Sequence, residues 1–213
     1  MYKIIKMKLL LISFLSGLAF NNVWALSKPV VEGTDYTIIS GVPLTNEPKG
    51  MVNVKEFFAF TCIHCRDIEP MLEKTLLPNK KIDFDKIHVA WDQNSMNFAK
   101  LNITIKLMNL NKLYMPAFNA FFDRRDLTNP VELKTFLAQN GLSKDQVDKF
   151  LATYNSFTAN SKAAEAKKLT EAYNITGTPT FIVADKYQVM PAVPERLVEV
   201  VQELVKKATT DSK

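Results

Sequence analysis

The stretch Val52-Asn53-Val54-Lys55-Glu56-Phe57-Phe58-Ala59-Phe60-Thr61-Cys62-Ile63-His64-Cys65-Arg66-Asp67-Ile68-Glu69-Pro70-Met71 decides the reading of this chain. Its first nine residues are rich in Val and Phe, the composition of a strand. Beyond Thr61 the stretch turns polar and charged, and Ile68, Met71 and Leu72 recur at helical spacing. Between the two halves stand the protein's only two cysteines, as Cys62-Ile63-His64-Cys65. A C-x-x-C at a strand-to-helix junction sets its first sulfur near a helix N-terminus. Unpaired N–H groups and the macrodipole stabilise an anion there. That lowers a thiol pKa and gives a sulfur that both attacks and leaves readily.

The strand half carries a second signal. Residues 52, 54, 56, 58 and 60 share one face, and they read Val, Val, Glu, Phe, Phe. Glu56 therefore falls on an apolar face six residues before Cys62. A carboxylate in that position must be paired, hydrated or protonated. Burial is expected over a solvated edge position, because both neighbours on the face are apolar.

Working outward, the N-terminus reads as a leader. Lys3, Lys6 and Lys8 precede an apolar run, Leu9 to Phe20, and Val23-Trp24-Ala25 offers small residues for cleavage after Ala25. The run falls short of the ~20 residues that span a bilayer. An exported chain works where disulfides persist. The three leader lysines account for three of the five net positive charges, leaving +2 on residues 26–213. That balance gives no footprint for nucleic acid.

Tyr36 to Ser40 reads as a short strand, and Gly41 to Gly50 as a loop. Pro70 falls inside the helix after the cysteines and is expected to kink it. Ile82 to Trp91 is the next strand. From Asn94 to Asn174 the signals are helical. Asn129-Pro130-Val131-Glu132 supplies a cap, an N1 proline and an N3 acid, and Ser143 with Gln146 forms a capping box. Gly141 reads as a C-terminal glycine stop. Gly177-Thr178-Pro179-Thr180 then leads into a strand over 181–184, a turn at Asp185-Lys186, and a strand over Tyr187 to Met190. Pro194 opens a last helix with Leu197, Val200, Val201 and Leu204 as its stripe. The boundaries expected are 1–25 for the leader, 26–92 and 175–213 for the two parts of an α/β domain, and 93–174 for a helical insertion.

This order, with C-x-x-C after the long strand and an isolated Thr-Pro before the last hairpin, resembles the thioredoxin fold. The leader, the helical insertion and the run Glu-Phe-Phe-x-Phe-x-Cys-x-His-Cys resemble more specifically the bacterial DsbA family of periplasmic thiol oxidases. The resemblance implies an α/β thioredoxin fold with an inserted all-helical domain. It implies Cys62 as the reactive sulfur, Cys65 as its buried partner in a Cys62–Cys65 redox disulfide, and His64 as a residue stabilising the Cys62 thiolate. It also implies Glu56 as a buried acid with Lys86 as its ion-pair partner, and Thr178 and Pro179 as a cis-proline loop that faces the disulfide and takes substrate. Ile63 stands where the best-known members have proline, which leaves the redox potential open.

The implied partners are reduced cysteine-containing secreted proteins and a quinone-linked membrane thiol oxidase of the DsbB type. A periplasmic monomer with no cofactor and no bound metal is expected. Zinc is disfavoured by the donor count, two Cys and two His in the whole chain. A structural disulfide is disfavoured because so short a ring constrains little chain. A thioredoxin-like periplasmic reductase or isomerase is the alternative activity, and a non-catalytic chaperone or metal carrier is a third reading. His88 reads as a packing residue.

Overall fold

A computed structural model of the chain describes residues 28–42 and 50–211. The leader and most of the Gly41–Gly50 loop lie outside the described residues. Strands β1 (Tyr36–Ile38), β2 (Val52–Phe58), β3 (Ile82–His88), β4 (Thr180–Val183) and β5 (Tyr187–Val189) form one sheet in the order β1-β5-β4-β2-β3. Only β2 and β3 are parallel, joined through helix α1 (Ile63–Thr75); the other pairs are antiparallel. Helices α2 (Gln93–Leu107), α3 (Tyr114–Phe122), α4 (Pro130–Gln139), α5 (Lys144–Tyr154) and α6 (Phe157–Ala172) follow β3, and α7 (Pro194–Asp211) closes the chain. This is the thioredoxin arrangement with a helical block between β3 and β4.

The local signals explain most boundaries. Asn129 caps α4 through its side-chain oxygen with Pro130 at the first turn, and Ser143 and Gln146 close a capping box on α5. Gly141 takes the left-handed conformation (φ +81°) just past Asn140 at the end of α4, where a side chain would be strained. Helix α1 runs on through Pro70 to Thr75. The last hairpin departs from the expected turn: Ala184 and Asp185 are the central pair, both with positive φ, and Lys186 N–H bonds back to the Val183 carbonyl.

Strand β2 organises the packing, and all seven of its residues are buried. Val52 and Val54 pack with Ile68 and Leu72 of α1 and with the apolar stripe of α7. Phe58, with Phe60 just beyond the strand, enters the core of the helical block beside Phe118, Phe136 and Phe150. Phe57 faces the other way, onto Ala159 and Ala163 of α6 and Ile103 of α2. Helices α2 and α6 thus cover a sheet face as well as packing on each other. This differs from the sequence expectation of one apolar face. With both faces covered, the polar Asn53 and Lys55 are buried too, and they bond with Asp185 at the hairpin turn; Tyr173 donates to the same carboxylate at 2.6 Å.

Candidate active site

Cys62 is the N-cap of α1. Its extended backbone ends the chain's run out of β2, and its sulfur accepts from the Cys65 N–H at 3.3 Å. A sulfur in the place usually held by a Ser or Asp oxygen satisfies an orphan donor of the first turn. On its other side, the thiol donates to the Thr178 carbonyl at 3.3 Å. The Thr178–Pro179 peptide is cis. Both cysteines are free thiols, Cys62 half-buried and Cys65 buried.

The two sulfurs are pushed in opposite directions. Cys62 is lowered to about 6, first by the Cys65 thiol donating to it; burial opposes, and the Thr178 side chain and the N–H groups of Cys65 and His64 add to the lowering. Burial raises Cys65 far above an ordinary thiol, helped by its bond to Cys62 and by the charge of Glu56. At neutral pH one sulfur is a reachable thiolate and its neighbour keeps its proton.

Beneath the cysteines lies a buried charge cluster. The parallel register sets Glu56 on β2 opposite Lys86 on β3, and Lys86 Nζ lies 3.0 Å from Glu56 Oε2. The ammonium also donates to Glu69 of α1. It sits over the rings of Phe58 and Tyr114, at 4.9 and 4.7 Å from their centroids. Lys86 aims its donor bond at Glu69, and neither Glu56 oxygen has a hydrogen-bond partner among the described residues. Burial pushes the Glu56 carboxyl up to about 7, against the pull of Lys86 and with the repulsion of Glu69. Two carboxylates share one cation, so the worse-bonded one holds a proton most readily.

Glu69 is the residue that sequence reasoning missed. It lies four residues after Cys65 on the Cys65–Ile68–Leu72 stripe, so a charge on an apolar helix face was the available signal. The remaining expected residues are brought to the same end of the sheet. His64 is exposed and lines a groove of about 440 Å³ with Thr176, Thr178, Pro179, Met190 and Leu197. The His64 backbone N–H is among the groups that lower Cys62. His88 is buried, accepts from the Phe60 N–H at 3.1 Å and stacks on Phe98, with burial holding it down at about 4.

Residues 79–202 match the DSBA-like thioredoxin domain family. The chain belongs to the DsbA family. Among curated DsbA relatives, the thiol:disulfide interchange protein of Burkholderia cepacia is 31% identical over 83% of each chain. That of Pseudomonas syringae pv. tomato is 30% identical over 88% of each. Among solved DsbA structures, the oxidoreductase NmDsbA1 of Neisseria meningitidis superposes with a TM-score of 0.75 at 29% identity, covering 85% of this chain and 95% of its own. Pseudomonas aeruginosa DsbA gives 0.74 at 27%, covering 84% and 95%. The protein is a disulfide-forming thiol:disulfide oxidoreductase of the DsbA type, exchanging disulfides with substrate proteins. No helix of the described residues is long and apolar enough to cross a membrane.

The His64 backbone N–H survives in His64→Ala, so a Cys62 thiolate titration at 240 nm whose midpoint stays in place credits the helix terminus, and a midpoint that rises credits the imidazole.

Proposed function

We propose that Cys62 and Cys65 are the redox couple that inserts disulfides into newly secreted proteins in the periplasm, with Glu56 and Lys86 as supporting acid–base and charge partners and the Thr178-Pro179 loop as a substrate edge. The observation that carries this reading is the Cys62 sulfur capping α1, 3.3 Å from the Cys65 N–H. The oxidised enzyme starts with a Cys62–Cys65 bond. A substrate thiolate attacks Cys62, the S–S bond breaks, and Cys65 leaves with the electron pair and takes a proton. Its raised affinity for that proton suits it to the step, and in this reading protonated Glu56, whose charge acts on Cys65, supplies it. A second substrate thiolate then attacks the substrate sulfur of the mixed disulfide and Cys62 leaves as a thiolate. The substrate loses two electrons and the enzyme disulfide becomes a dithiol.

A stabilised Cys62 thiolate is a good leaving group and favours the reduced enzyme, so the bias is toward oxidising others. A reductase needs the opposite bias. The helical block 93–174 forms the wall beside Cys62, a segment of substrate pairs along Thr178 as an added strand, and a membrane thiol oxidase of the DsbB type restores the disulfide of a monomeric enzyme. Oxidation of a two-cysteine peptide beside reduction of insulin tests this. Fast peptide oxidation with slow insulin reduction is expected, and the reverse ranking contradicts the proposal.

A further inference from the structure

The groove beside His64 has one wall without regular structure. Residues 190–193 connect β5 to α7, and Met190, Pro191, Ala192 and Pro194 line the groove with Leu197 of α7. Pro191 in this span and Pro194 at the start of α7 have no N–H to give, so the backbone here is poorly able to hold itself. It is held instead from the N-terminal segment, and at both ends through Asp35. The Asp35 carbonyl accepts from the Met190 N–H at 2.8 Å, at the start of the wall. The Asp35 carboxylate takes a two-pronged bond from Arg196, at the far end of the wall in the first turn of α7, with Nε–Oδ1 at 2.9 Å and Nη2–Oδ2 at 2.8 Å.

Both partners of this clasp are themselves held. Arg196 Nη1 also donates to Glu199 at 2.7 Å and to the Lys28 carbonyl at 3.3 Å, and Nη2 to the Pro29 carbonyl at 3.4 Å. The Val31 N–H donates to Asp35 Oδ2 at 2.9 Å. A bidentate guanidinium–carboxylate pair fixes orientation as well as distance. Clasp and wall lie in adjacent positions: Pro194 and Leu197 line the groove, and Arg196 between them points back to the strap of residues 28–35.

We propose that Asp35 and Arg196 are positioning residues that set the groove wall for extended polypeptide substrates and have no part in the exchange at Cys62. This rests on the reading that the groove beside Thr178 carries substrate. A preformed wall lowers the ordering cost that a long substrate meets on binding. A small dithiol reaches Cys62 without touching the wall and gains nothing from it. The clasp therefore selects for extended chains over small thiols.

The test uses the full-length mature protein kept oxidised by glutathione disulfide, which takes up the two electrons of each turnover, with dithiothreitol as the small dithiol and an unfolded two-cysteine peptide as the extended one. Arg196→Ala and Asp35→Asn are expected to raise KM for the peptide by about threefold to tenfold, the scale of ordering one or two further side chains. Peptide kcat and the dithiothreitol rate should stay within about twofold, and Cys62 of the reduced variants should keep its titration midpoint. Arg196→Lys, which keeps the charge and loses the fork, should fall between. The double variant should be no worse than either single one, because the two act as one unit. Ala192→Arg, which crowds the wall directly, reports on the groove itself. If Ala192→Arg raises KM and the clasp variants do not, the clasp proposal is wrong and the groove reading stands. If none of them moves KM, the groove reading falls with it. Equal losses toward peptide and dithiothreitol in Arg196→Lys and Asp35→Asn, both milder than Arg196→Ala, would also overturn the proposal by exposing a general defect.

Discussion

Cys62→Ser is expected to reduce disulfide transfer to the uncatalysed background, whereas Cys65→Ser is expected to accumulate covalent complexes with substrates. The asymmetry follows from the environments of the two sulfurs. Cys62 is half-buried at a helix N-terminus and ionised near neutrality. Cys65 is buried, donates to Cys62 and holds its proton. Only Cys62 meets an incoming sulfur. Once a mixed disulfide on Cys62 has formed, Cys65 is the internal sulfur able to displace the substrate, and a serine there cannot do so. Non-reducing gels of the two variants incubated with a disulfide-bearing unfolded protein read this directly. If the mixed species form on Cys65 in the Cys62→Ser variant, or if Cys65 is the thiol alkylated faster at pH 6, the roles are reversed.

Lys86→Met is expected to be among the most destabilising single changes outside the apolar core. It removes the one cation that, among the described residues, pairs with Glu56 and Glu69, and leaves carboxyl groups 0% and 1% exposed with no other counter-charge among those residues. Breaking a buried pair from one side costs about 3–5 kcal/mol, which corresponds to a fall in melting temperature of roughly 10 °C for a chain of this size. Adding Glu56→Gln and Glu69→Gln to Lys86→Met should recover much of the loss, since a neutral cluster has no unpaired charge to bury.

The same cluster gives stability a pH dependence with a definite sign. Glu56 in the folded protein is raised to about 7 from 4.5. The native state therefore binds this proton more tightly than the unfolded chain. Its contribution is fully present below 4.5 and is lost as pH rises through about 7. His88 and the reduced Cys62 are both lowered and act in the opposite direction over part of this range, so the Glu56 contribution is read as a difference: the melting temperature of the protein relative to Glu56→Gln should fall between pH 5 and pH 8. A loss below 1 kcal/mol in Lys86→Met, or a pH profile unchanged in Glu56→Gln, would mean that the cluster is hydrated and its charges screened.

The sequence made some of this legible through local rules and hid the rest behind long-range packing. The N-cap position of Cys62 could be read because a strand-like run gives way to a helical one within four residues. The burial of Glu56 was readable from the two-residue period of β2. Its pairing with Lys86 was not, since a parallel register across thirty residues leaves no local trace, and only the family resemblance supplied it. Glu69 carried a signal, a charge on an apolar stripe, yet its burial depends on α1 lying against β2. The hairpin turn was read one residue late because Asp185 looks like a solvated turn residue; Lys55, 130 residues earlier, makes it a buried anion. Asp35 and Arg196 stand 161 residues apart and each reads locally as a surface charge.

The central claim is that the fold holds Cys62 as a thiolate in the reduced enzyme. The most direct measurement is the reduction potential of the Cys62–Cys65 couple as a function of pH, from equilibration with glutathione buffers and thiol trapping. While both thiols are protonated, reduction takes up two protons with two electrons and the potential falls by about 59 mV per pH unit. Once one sulfur stays ionised the slope halves to about 30 mV. The structure predicts the break at about pH 6, where Cys62 titrates. An unbroken slope of about 59 mV from pH 5 to pH 8 would mean an ordinary thiol at Cys62 and would contradict the account.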